Sequence, residues 1–149
     1  MRCCLLLLLT GLLAGCDHGL APPPEPPTGA IRGVITYIGS WPSRQEVRDL
    51  RFVALRFVPR DTSDFLQLNR MVFSETLAYG VPSDTFFVGD VVAGTFPYSG
   101  VAQHFSDDVL AWRPVGLYVE NGGIFQVLPG DTVVLSITVD FEHPPPFPP

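Results

Sequence analysis

The sequence predicts an all-β protein: a single antiparallel β-sandwich of about seven or eight strands. Three observations carry this. From Thr132 to Phe141, the apolar residues Val133, Leu135, Ile137, Val139 and Phe141 alternate with a mostly polar set of Thr132, Val134, Ser136, Thr138 and Asp140. A period of two puts one face on a core and the other in solvent. Turn signals at Gly39, Asn121-Gly122-Gly123 and Pro129-Gly130-Asp131 cut the chain into strand-length pieces. Finally, the one helix candidate, Ser43 to Asp49 with Ser43 as its N-cap, is short.

The expected strands follow in order. Ala30 to Ile38 is rich in β-branched residues and stops at Gly39. Leu50 to Val58 places Val53, Leu55 and Phe57 on one face, with Arg51 and Arg56 on different faces. Arg70 to Leu77, Thr85 to Val91, Thr95 to Phe105 and Arg113 to Glu120 come next. Ile124 to Leu128 follows the Asn-Gly-Gly turn, and Thr132 to Phe141 closes the domain. The folded unit is therefore expected over residues 29–142, with no internal repeat.

Proline-rich segments flank it. Ala21 to Thr28 reads as an extended tether, rising about 3.1 Å per residue in a polyproline II helix. At the other end, His143 to Pro149 cannot join a sheet ladder, because proline has no N–H. It is expected as an extended tail, either free or lying along the domain. At 149 residues, 46% of them hydrophobic, the chain can still bury a core between these ends. The net charge is −6, with nine arginines, no lysine and fifteen acids. An acidic surface repels phosphate backbones, so nucleic acid is not an expected partner, and anionic headgroups would not attract it.

The first fifteen residues have a different character. Met1-Arg2 is a minimal basic start, followed by a leucine-rich apolar stretch from Cys3 to Leu13. Eleven helical residues reach only about 16 Å, half a bilayer core, so the stretch reads as a signal peptide and not as a span. Leu13-Ala14-Gly15-Cys16 then resembles the bacterial lipobox: an aliphatic residue, two small residues and a cysteine. The resemblance implies peptidase recognition at Leu13, Ala14 and Gly15, diacylglycerol on the Cys16 sulfur and cleavage before it. Two or three acyl chains anchor stably where one does not. Cys16 would be the one cysteine of the mature chain, so no intramolecular disulfide is expected. Asp17 resembles an inner-membrane retention signal of some Gram-negative bacteria, a lineage-dependent rule. The expectation here is the outer membrane or cell surface.

Within residues 29–142, three segments resemble the carboxypeptidase regulatory-like, transthyretin-type (prealbumin-like) sandwiches. They are Gly29-Ala-Ile-Arg-Gly-Val-Ile-Thr36, the stretch from Phe86 to Ala102 with its Gly94-Thr-Phe turn, and Leu128 to Val139. Trp41 to Asp49 departs from the group's pattern as an insertion, and the group's central turn is not evident near residues 62–69. The resemblance implies a non-enzymatic accessory or binding module, without naming a ligand.

No catalytic residue is assigned. There is no Gly-x-Ser-x-Gly elbow. His104 lies on a predicted strand, facing away from Val101, Gln103 and Phe105, and reads as an exposed strand histidine. His18, His104 and His143 have no zinc spacing, and no metal or cofactor is expected. Asp61, Asp64, Asp107 and Asp108 are read as solvated turn acids, since they lack a calcium-loop pattern. Trp41 and Trp112 are read first as rim or core residues. With Arg113 beside Trp112, they are also the candidate ligand-binding residues, because exposed rings near arginines and acids can stack on sugar faces.

The expectation is thus a lipid-anchored envelope protein, not an enzyme, whose sandwich binds or assembles with a protein or glycan partner. Three rival readings are a carbohydrate-binding module using Trp41 and Trp112, a hydrolase using a carboxylate pair, and a purely structural envelope protein.

Overall fold

The computed structural model describes residues 23–149. These form an all-β sandwich of nine strands: β1 (Thr28–Ile38), β2 (Asp49–Leu55), β3 (Met71–Phe73), β4 (Ser83–Val92), β5 (Gly94–Phe96), β6 (Tyr98–His104), β7 (Trp112–Leu117), β8 (Phe125–Val127) and β9 (Thr132–Asp140). Two sheets, β4-β1-β9 and β3-β2-β6-β7, enclose the core, and a β5-β8 ribbon forms the third sheet. Strand pairing is antiparallel except between β1 and β9, which run parallel from Ala30↔Thr132 to Ile38↔Asp140. Side-chain alternation is the same in both arrangements, so the sequence pattern carries no sign of this exception.

β1 is the central strand of the first sheet. Ile31, Ile35 and Tyr37 turn inward, while Arg32, Val34, Thr36 and Ile38 turn out. β9 behaves as its alternation predicts, with Leu135, Ile137 and Val139 buried. Gly33 occupies an inward position where a Cβ would come within 2.6 Å of both the Phe86 ring and the Leu135 carbonyl. The missing side chain makes room for Phe86, which stacks on Phe52 of the opposite sheet at 4.1 Å between centroids. Gly116 acts similarly at the seam between sheets, since a Cβ there would lie 2.4 Å from the Thr138 carbonyl. β7 of the second sheet and β9 of the first can therefore approach closely.

Three expectations are corrected. Thr95 to Phe105 is two strands, because Pro97 breaks the ladder: β5 pairs with β8, whereas β6 pairs with β2 and β7. Arg70 to Leu77 contributes only the short β3, after which the chain follows β2 through single bonds from Ser74 N–H to the Phe52 carbonyl and from Leu77 N–H to the Leu50 carbonyl. Ser43 to Asp49 is not a helix. Ser43 does bond the Glu46 carboxylate through both its N–H and its hydroxyl, and Glu46 N–H donates to the Ser43 carbonyl, but the turn stops there. Burial of Val47 and the passage into β2 outweigh the capping signal.

Candidate functional site

In β2 the inward residues are Leu50, Phe52 and Ala54, so Val53 and Leu55 lie on the outer face of the second sheet. They are nevertheless buried. With Tyr98 and Ala102 of β6 they form a second apolar cluster, packed against Phe57, Phe65, Met71, Trp112 and Leu117. Two irregular segments cover this face. One is a pair of 3-10 turns, Thr62–Leu66 and Leu68–Arg70, and the other is the loop joining β6 to β7.

The cover is incomplete. Between the two segments lies a groove of about 400 Å³, floored by Val53 and Ala102 and walled by Phe65, Met71, Leu110 and Trp112. Leu68 (62% exposed) and Val109 (75% exposed) stand at its rim. At one end Arg51 and Asp49 form an ion pair of 2.6 Å, and the guanidinium also bonds the Ser74 carbonyl. Asp49 also accepts from Thr76 and from Leu50 N–H. Burial pushes the Asp49 pKa up, but the Arg51 and Thr76 bonds, the Arg51 charge and the Leu50 N–H together bring it below the ordinary aspartate value. The groove is thus apolar along its length, with one fixed ion pair at its end. Such a surface suits an apolar or aromatic ligand segment.

The predicted ligand-binding residues are not brought together. Trp112 walls the groove and stacks on the His104 ring at 4.9 Å. Trp41 belongs to a separate aromatic cluster with Tyr37, Tyr79 and Phe141, the nearest centroids 4.6 Å apart, and packs against the main core. Arg113 Nε donates to the side-chain oxygen of fully buried Gln103, whose amide in turn donates to the Glu46 carbonyl. Gln103 therefore ties the 43–47 turn to β6 and Arg113 holds its amide in place, with the Arg113 guanidinium 5.1 Å from the Phe105 ring centroid. His104 Nε2 donates to the Asp108 backbone carbonyl and so is not poised by a carboxylate. Asp61 and Asp64 are turn residues: Asp61 caps Ser63 N–H, and Asp64 accepts from Arg60 N–H and the Gln67 amide. Among the described residues, no three His, Cys, Asp or Glu side chains gather as a metal-binding group, and no helix is long and apolar enough to cross a membrane. Leu13, Ala14, Gly15 and Cys16 lie outside the described residues.

Phe65, Val109 and Leu110 come from segments without strand periodicity and were not singled out from sequence, whereas Met71 opens β3 inside the expected strand Arg70 to Leu77. The usable signal lay in the strands beneath them. Phe52-Val53-Ala54-Leu55 and Tyr98 to Gln103 are buried at every position, and a strand without alternation is covered on both faces. No protein-family model, curated protein or solved structure matches the chain. The functional reading therefore rests on the site.

Proposed function

We propose that the chain is an exported lipoprotein, held to the cell envelope through lipid on Cys16, whose β-sandwich is a non-catalytic binding or assembly module. The observation that carries the binding part is the apolar groove on an outer sheet face, walled by Trp112 and Phe65. A sandwich face turned away from the core ordinarily meets water with polar residues. The location rests on the lipobox-like Leu13-Ala14-Gly15-Cys16 directly after an apolar stretch. Three segments resembling transthyretin-type sandwiches fall on β1, on β4 to β6 and on β9 with the turn before it, which supports reading the domain as an accessory module of that group. Of the two tryptophans weighed for sugar stacking, Trp112 alone lines the groove.

The test is metabolic labelling with a fatty-acid analogue in a bacterial host, followed by membrane fractionation. The wild-type chain is expected to carry label and sediment with membranes, and Cys16→Ser to lose both. Label persisting in Cys16→Ser overturns the anchor.

A further inference from the structure

The proline-rich tail does not leave the domain. It is rooted where Asp140 accepts from the N–H groups of Glu142 and His143, and Glu142 accepts from Ser40 N–H. From there Pro145 lies beside Leu117 and Val119, Phe147 stacks on Phe65 with centroids 5.3 Å apart, and Pro149 sits near Val58 and Tyr98. The tail thus crosses the outer face of the second sheet, the same face that carries the groove, and its one aromatic side chain rests on a groove wall. Five prolines in this tail offer no N–H, so it cannot be held as a strand, and ring contacts must do most of the holding. Stiff proline-rich segments dock on aromatic-lined grooves at low entropic cost, because their extended form is already populated in the free chain.

We propose that this face is a docking site for a proline-flanked aromatic segment of a partner protein, and that residues 143–149 occupy its Phe65 end in cis as a built-in competitor. The tail shows what chemistry the face accepts, and the groove beyond Phe65 offers the remaining surface, with Trp112 as its far wall. The proposal rests on reading the domain as a binding module and names the partner class. A tethered tail presents its ring at about millimolar effective concentration, so a partner in trans must displace it.

The probe is a fluorescent synthetic peptide, His-Pro-Pro-Pro-Phe-Pro-Pro, titrated by anisotropy against the purified full chain. Phe147→Ala is expected to tighten peptide binding about tenfold over wild type, by removing the competitor. Adding Phe65→Ala is expected to abolish that binding, and a peptide with alanine for phenylalanine should not bind. Should Phe147→Ala fold poorly, wild type at high peptide concentration must still show saturable binding that Phe65→Ala removes. No saturable binding to either, or equal affinity for wild type and Phe147→Ala, overturns the proposal. Because Cys16 labelling is read separately, such a failure would leave the anchored-module reading standing with another partner.

Discussion

In the sheet β4-β1-β9 the outward residues Arg32, Thr36, Thr85, Ser136 and Thr138 are exposed, whereas in β3-β2-β6-β7 the outward residues Val53, Leu55, Tyr98 and Ala102 are buried. Both sheets send a row of apolar side chains into the shared core. They differ on the far side, where the first meets water and the second supports an apolar layer under the 3-10 turns, the β6–β7 loop and the tail. The first sheet therefore uses one face to hold the fold together. The second uses both, and its outer face is left partly uncovered at the groove. An outer layer built from short irregular segments is the part of this fold best placed to open for a ligand, since such segments contribute few regular backbone bonds.

Outward positions in the two sheets should therefore respond very differently to truncation. Leu55 is outward in β2 yet wholly inaccessible to solvent (0%). Leu55→Ala should cost about 2–5 kcal/mol, the range of a core leucine, because it removes contacts and leaves a cavity under Phe57 and Phe65. Denaturant unfolding followed by tryptophan fluorescence would measure it. A cost under about 1 kcal/mol would mean that the outer layer is not packed and that the second sheet is as one-sided as the first.

How much of this was legible follows from what each strand must satisfy. β9 and β1 are solvated on one face, so their composition alternates and their inward sets can be read from sequence. In β2, the sequence sets Val53 and Leu55 on one face without distinguishing core from outer layer, because a second apolar layer looks the same in sequence as the first. Phe52 shows the true orientation, as it alone reaches across to stack on Phe86. The turn at Ser43 was chemically correct and structurally short, since a cap starts a helix but cannot extend it. Of the candidate site, Trp112 was found because large aromatics stand out. Leu68 and Val109 were not, because residues on 3-10 turns and loops follow no period.

The two sheets also each bury a tyrosine hydroxyl without a hydrogen-bond partner, Tyr37 in the first and Tyr98 in the second. Burial raises both pKa values, that of Tyr98 up to about 12, and at Tyr37 the nearby Asp84 charge adds to the effect. Tyr98→Phe removes an unpaired polar group and should stabilise the fold by about 1 kcal/mol near neutral pH. The folded-state pKa of Tyr98 lies above the ordinary value of 10.0. Its contribution is therefore intact below about pH 10 and is lost as pH rises toward about 12. Tyr98→Phe should thus shrink the loss of stability across that window. An unchanged alkaline limb would mean that the phenol reaches water through the tail side of the sheet, where Tyr98 and Pro149 lie close together.

The smallest expected effect sharpens the contrast most. Val134 is outward in β9 and 58% exposed, next to Val34 and Phe87 on the face of the first sheet. Threonine keeps the β-branched shape that suits a strand and places its hydroxyl in water, so Val134→Thr should change stability by no more than about 0.5 kcal/mol. The same exchange at Val53, outward in β2 but buried at the groove floor, brings a hydroxyl against Ala102 and Met71 and should cost about 1–3 kcal/mol. Measured side by side in one denaturant series, the two valine-to-threonine variants compare the open and the covered face by the same side-chain exchange, in an edge strand (β9) and an interior strand (β2). Equal costs would place both faces in water and remove the physical basis for the groove. A difference of more than about 1 kcal/mol would locate the second apolar layer at the floor, beneath the segments that a ligand would have to displace.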